Sequence, residues 1–314
     1  MTIRPRLILT GLAAAGAAAG VLFLLYQLPI WLAADELRRL DTKDGLAAAA
    51  TLRGQFVPVV TVVLGLVGLL YTARKFFLDR ASQHIDRFNT AVEHLDSESS
   101  VRRAGGAWAL QAIMEDAPRE QPRGRRLLAH FLREQTTERR TGLAGEHLAA
   151  LEVLRSYPAP GRWSRDTPEP LDLTGIRVPR ADLHRFYLHN ALMSRTELTG
   201  ADLTDAVLTR ARLDRSTLIG TNLRGADLSG ATLVDARLNE ADLTGARLTG
   251  ADLTGAALSG TILTGAVLSG TILTGANLLG TDLRAAIGLT SAQLDGADTD
   301  STTRYPPHLS ELPT

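Results

Sequence analysis

Residues 241–283 read ADLTGARLTGADLTGAALSGTILTGAVLSGTILTGANLLGTDL. From Leu243 every fifth residue is Leu, through Leu248, Leu253, Leu258, Leu263, Leu268, Leu273, Leu278 and Leu283. The register also runs backwards, through Leu203, Leu198, Met193, Leu188, Leu183 and Val178 to Leu173. Two positions before each of these lies a small residue, usually Ala and sometimes Thr or Ser, as at Ala201, Ala206, Ala211, Ser216 and Thr221. About 23 such units follow one another without insertion over residues 171–285, and a short fixed period is the signature of a stacked solenoid.

The period itself excludes the common elements. An amphipathic helix needs apolar residues three and four apart, and a half-buried strand needs period two. Period five suits a chain that turns a corner at every unit, with positions one and three inward and the others outward. Gly at position five, as at Gly220, Gly225, Gly230, Gly245 and Gly250, accepts the positive φ that such corners require. Four corners close a square coil of about 20 residues, and stacked coils hydrogen-bond at roughly 4.8 Å. The fold class expected is mainly β: a β-helical solenoid preceded by helices.

Ala201-Asp202-Leu203, Ala226-Asp227-Leu228, Ala241-Asp242-Leu243 and Ala251-Asp252-Leu253 give the segment its character. It resembles the pentapeptide-repeat family, whose consensus is A-[D/N]-L-x-x. The resemblance covers about a third of the chain and implies a right-handed quadrilateral β-helix. It implies scaffolding or binding rather than catalysis, because fold does not fix function.

The remainder divides by composition. Residues 7–34 carry no charge, and residues 54–73 form a second uncharged run; about 20 apolar residues span a bilayer. A transmembrane hairpin over residues 1–73 is therefore expected, with membrane lipid as a partner. Ala13, Gly16 and Gly20 on the first run, and Thr61 and Gly65 on the second, have the small-residue spacing that lets helices approach. Arg4, Arg6, Arg74, Lys75 and Arg80 flank the runs, against Arg38, Arg39, Lys43 and Arg53 between them. The positive-inside rule then places both termini in the cytoplasm of a plasma-membrane protein.

Residues 74–157 read as an α-helical adaptor. One helix carries Leu78, Ala81, Ile85, Phe88, Val92 and Leu95 as an apolar seam. A second starts after Ser99 or Ser100, carries Val101, Ala104, Trp108, Ala112 and Ile113, and stops before Pro118. A third is expected from about Arg125 and a fourth from about Glu146. Arg87-Phe88 and Val101 to Gly106 resemble the segment beside the membrane in anchored pentapeptide-repeat proteins. Residues 158–170 hold Pro158, Pro160, Pro168 and Pro170 and read as a linker. Residues 286–314 read as a cap and tail, with Thr290-Ser291-Ala292-Gln293 fitting a capping box.

The chemistry expected is sparse. There is no Cys, and 34 Lys and Arg balance 34 Asp and Glu. No disulfide or thiolate site exists, no bulk attraction to nucleic acid follows, and no cofactor or metal is expected. Asp182, Asp202, Asn222, Asp242, Ile262 and Asp282 recur once per coil, but Asn222 and Ile262 interrupt the column. His184 and His189 point from adjacent faces, short of the ligand count that zinc needs. A rod imitating DNA for topoisomerase, as some relatives do, is the alternative function. It would need strong acidity, and residues 171–285 hold 12 acidic and 11 basic residues. The preferred reading is a membrane-anchored, non-enzymatic scaffold for protein–protein interaction. Its candidate surface is the uncharged girdle of Ala257, Ile262, Val267 and Ile272, facing a protein partner or a second copy of the rod.

The inward assignment of position three makes Leu243 a core residue at mid-rod. Leu243→Lys is expected to destabilise the rod by about 3 kcal/mol or more, through a buried unpaired ammonium. Asp242→Lys should do far less; equal melting of parent and Leu243→Lys would reverse the inward and outward assignment.

Overall fold

The computed structural model describes residue 20 and residues 42–137, 143–156 and 170–309. The chain forms two compact units, Met1–Gln83 and His84–Thr314. The helices are α1 (Thr42–Leu95), α2 (Ser100–Asp116), α3 (Gln121–Thr137), α4 (Gly145–Ser156) and the short α5 (Ser291–Leu294).

In the first unit, the second uncharged run lies inside α1, not in a separate short span. Among the described residues no helix is long and apolar enough to cross a membrane. The hairpin expectation is therefore unsupported there, and most of its first run falls outside the described residues. Gly20 and Gly65 are open, with nothing within 4 Å of where a Cβ would stand. Thr61 is exposed, and Ala13 and Gly16 lie outside the described residues.

The second unit begins with the last turns of α1. The expected seam is core only from Phe88 onward: Phe88, Ala91 and Leu95 are buried, whereas Ile85 is exposed. The reason is Gly106 on α2. A Cβ there would stand 2.9 Å from the Ala91 carbonyl oxygen, so only Gly lets α2 approach α1 this closely. Ala107, Leu110, Ile113 and Met114 fill the same interface. Arg123 of α3 lies over the Phe88 ring, 4.1 Å from its centroid. The third helix starts at Gln121, four residues before the position expected from its apolar pattern.

The rod follows from its repeat. Each second-position residue pairs in parallel with the residue 20 further on, as in Asp202↔Asn222, Asn222↔Asp242 and Asp242↔Ile262. Leu243 N–H donates to the Ile262 carbonyl at 2.8 Å, and Ile262 N–H donates to that of Ala241 at 2.9 Å. Within each unit a turn bond closes the corner, as from Ala246 N–H to the Leu243 carbonyl at 2.9 Å. Position five has positive φ throughout, for instance +66° at Gly250. Nine corners place Arg, Asn, Asp or Glu there instead, at φ between 55° and 60°. A column of Leu and a column of Ala, Ser or Thr fill the interior. At position one, Thr221, Thr261 and Thr271 donate their hydroxyls to carbonyls of the previous coil, those of Leu198, Leu238 and Leu248, whereas Thr196 donates to Met193 of the preceding unit. The Ser216 hydroxyl is buried without a partner.

Both rod ends are covered. The first coil has no coil before it, so its backbone donors need other acceptors. Thr136 of α3 supplies one: its Oγ1 accepts from Arg177 N–H at 3.2 Å and donates to the Leu132 carbonyl at 2.6 Å. Arg133 beside it pairs with Asp172. The helices expected to act only as an adaptor are thus also the N-terminal cap, sharing one core with Leu171, Leu173 and Ile176. At the other end, Gln293 of α5 donates to the carbonyls of Leu268 and Thr271, both at 2.8 Å. The segment read as a tail stays on the coil past Thr303. Asp298 pairs with Asn277, Arg304 pairs with Asp282, and Thr303 Oγ1 donates to the Leu278 carbonyl. Irregular spacing hides this last coil from a period-five reading.

Thr136→Val keeps side-chain shape but leaves the Arg177 N–H without its acceptor. Denaturant unfolding of the full chain should show a loss of about 1–3 kcal/mol. A neutral result would mean that α3 does not replace the missing coil.

Candidate functional site

The rod presents its chemistry on columns. One face stacks Asp182, Asp202, Asn222, Asp242, Ile262 and Asp282. Each polar member is engaged locally: Asp202 Oδ1 accepts from Thr204 N–H at 2.9 Å and from its hydroxyl at 2.5 Å, and Asp242 does the same with Thr244. These carboxylates hold the backbone of their own turns. Arg224 also donates to Asp242 at 3.0 Å. Burial pushes the Asp242 carboxyl upward, but the Thr244 and Arg224 contacts outweigh it and hold its pKa below the ordinary value. Among the described residues no three His, Asp or Glu side chains converge as a metal site. His184 lies against Asp182 and Arg155, whereas His189 meets Thr209, so the two histidines do not share a site.

The girdle residues divide by exposure. Ile262 and Ile272 are 47% and 48% exposed, while Ala257 and Val267 are half-buried. Ile262 stands between Asp242 and Asp282, and Ile272 follows Asp252 on the opposite face. Val267 stacks directly beneath Ile287, which is 55% exposed. The Val267–Ile287 column is therefore the longer apolar strip at this end of the rod. Ile287 falls in the segment read as a cap, so the repeat pattern gave no reason to group it with the girdle.

The helical cap carries a second apolar surface. A groove of about 510 Å³ is lined by Val101, Ala104, Trp108, Leu148 and Leu151, with Glu152 and Arg155 on its rim. Val101, Ala104 and Trp108 share a helix face by their spacing, but that face is the outer one. The buried face of α2 belongs to Ala107, Leu110 and Met114, together with Arg103 and Gly106.

Arg103 and Glu146 hold α2 to α4. Arg103 donates to Glu146 at 2.7 Å, and both side chains are almost wholly buried. Ser100 donates to the other Glu146 oxygen at 2.6 Å, and Arg103 also donates to the carbonyls of Ser97 and Glu98. Burial is the largest single influence on Glu146 and opposes its charge. The hydrogen bonds from Arg103 and Ser100 overcome it and lower its pKa from 4.5 to about 2.

Comparison with known proteins places the repeat. Residues 172–210, 181–218, 211–250 and 251–287 match the family model of pentapeptide repeats, which finds eight copies. Over this region the chain carries pentapeptide repeats. Among solved structures it is similar to Rfr23, a pentapeptide repeat protein from the cyanobacterium Cyanothece 51142. That match has 29% identity, covers 43% of this chain and 87% of that one, and has a TM-score of 0.28. It is also similar to HetL of Nostoc sp. Strain PCC 7120, a protein involved in heterocyst differentiation regulation. There the identity is 27%, the coverage 43% of this chain and 81% of that one, and the TM-score 0.21. QnrB1, a plasmid-mediated fluoroquinolone resistance protein, matches at 17% identity over 45% of this chain and 80% of its own, with a TM-score of 0.22. No curated protein matches.

Glu146→Gln would leave the Arg103 guanidinium buried without its counter-charge. A loss of about 3–5 kcal/mol is expected, larger than for any exposed ion pair of the rod. Because the folded pKa of Glu146 is depressed, its contribution is complete above about 4.5 and is lost as pH falls toward about 2. Melting followed across that window should fall more steeply for the parent than for Glu146→Gln; parallel curves would remove Glu146 from the acid response.

Proposed function

We propose that this chain is a membrane-tethered, non-enzymatic scaffold whose rod holds a protein partner. The observation that carries the tether is the surface of α1. Val62, Leu66, Val67, Leu69, Leu70, Tyr71 and Phe76 are each more than half exposed, on several sides of one helix. A surface of this kind in water needs a cover of lipid or protein. The uncharged run over residues 7–34 supports lipid, since its length matches a bilayer span. The basic residues outside the two runs support cytoplasmic termini.

The partner reading rests on the rod's exterior. The inside is filled with Leu, Ala and Thr, so binding groups must project outward. Parallel columns at a fixed rise give such groups a rigid spacing. The alternative, a rod that imitates DNA, comes from the resemblance to the pentapeptide-repeat family. The rod's near balance of 12 acidic and 11 basic residues gives it no phosphate-like field.

Alkaline carbonate extraction of intact membranes should leave the full chain in the pellet. Its release into the supernatant would overturn the tether. For the partner, Ile262→Asp and Ile272→Asp should be compared by crosslinking in cells. A one-sided contact predicts that one substitution abolishes a crosslinked species and the other leaves it intact. If both leave it unchanged, the girdle is ordinary β surface.

A further inference from the structure

A basic hollow lies on the face that carries Arg212. It is an open depression of about 710 Å³, lined by Arg195, Arg212 and Arg215, with Asp214, Ser194 and Thr232. The three Arg come from two successive coils: Arg195 and Arg215 occupy equivalent corners, and Arg212 sits mid-face in the same unit as Arg215. Their guanidinium groups are poorly matched within the protein. Arg212 Nε stands 3.9 Å from Asp214 and Arg215 Nε stands 3.6 Å from Asp235, both beyond hydrogen-bonding distance. Arg195 has no carboxylate partner among the described residues. Arg212 and Arg215 are 62% and 63% exposed, so their donors are available to a ligand. Elsewhere on the rod, Arg224 and Arg284 are hydrogen-bonded to neighbouring Asp.

The placement also runs against the repeat's own preference. Arg195 and Arg215 sit at φ +60° and +56°, in corners that Gly occupies throughout the later coils. Asp214 and Asp235 offset part of the arginine charge, and the remaining like charges on two adjacent coils repel one another.

We propose that this hollow binds a phosphomonoester. The lining carries three positive charges and one negative, a net charge that a phosphate dianion neutralises and a single carboxylate does not. Guanidinium forks donate in pairs to phosphate oxygens, and the Ser194 hydroxyl on the same wall is a further potential donor. The hollow's volume leaves room for an organic group beyond the phosphate. The proposal goes beyond the scaffold reading and does not depend on it.

The test is calorimetric titration of the full chain with phenyl phosphate, inorganic phosphate and benzoate at one ionic strength. Saturable one-to-one binding of phenyl phosphate is expected. Arg195→Gln and Arg212→Gln should each weaken it about tenfold, as for loss of a charge-assisted hydrogen bond. Arg224→Gln removes the same charge two units away, on the opposite face, and should leave affinity unchanged. Asp214→Asn should tighten binding. Equal binding of inorganic phosphate identifies free phosphate as a sufficient ligand, and preference for phenyl phosphate identifies an organic ester. All four variants alter exposed or rim side chains, and unchanged melting verifies their fold. The proposal fails if neither phosphate compound saturates, if benzoate binds as tightly, or if Arg224→Gln weakens binding as much as Arg195→Gln.

Discussion

The structure depends on one backbone constraint: a residue in the left-handed region at every fifth position, with parallel pairing of residues 20 apart. The corner turns the chain, and the pairing satisfies the backbone groups that the turn directs along the rod. Together they fix what each position can hold. Positions one and three point into a narrow channel filled mostly by a small residue and a Leu, with Phe186 and Ile176 at position one only in the first coil. A hydroxyl is admitted at position one because a carbonyl of the preceding coil lies within reach, as for Thr261 and Leu238. A charge has no such partner there, so all charged chemistry is confined to the outside.

A stack of this kind has two open ends, and both are closed by side chains acting in place of a missing coil. At the start, Thr136 accepts the Arg177 N–H and Arg133 meets Asp172. At the finish, Gln293 and Thr303 donate to carbonyls of the last regular coils. The N-terminal closure is itself held by a buried charge pair. Arg103 of α2 meets Glu146 of α4, and hydrogen bonds to Ser97, Glu98 and Ser100 fix the two side chains in place.

The exterior differs along the rod. Early corners carry Arg, Asp, Asn and Glu, whereas the corners from Gly245 to Gly280 are all Gly. The early coils therefore offer charged donors and acceptors, and the later ones offer Ile262, Ile272 and Ile287 on a surface almost free of charge. Two kinds of surface are thereby separated on one rod: a polar hollow with unmatched guanidinium groups, and an apolar end.

The repeat was legible in the sequence because the constraint that makes it is local. A corner, its small residue and its Leu lie within five residues, so their spacing states the period, the inward set and the faces. The capping box at Thr290 was legible for the same reason. What the sequence left undecided depends on contacts between distant residues. Thr136 has no local mark of its bond to Arg177, 41 residues on. The spacing of Val101, Ala104 and Trp108 marks a helix face but not that Gly106 turns the opposite one inward against α1. Arg195, Arg212 and Arg215 are unremarkable as text. They become one hollow only because coils 20 residues apart stack at the β spacing, which brings side chains of separate repeats together on one face.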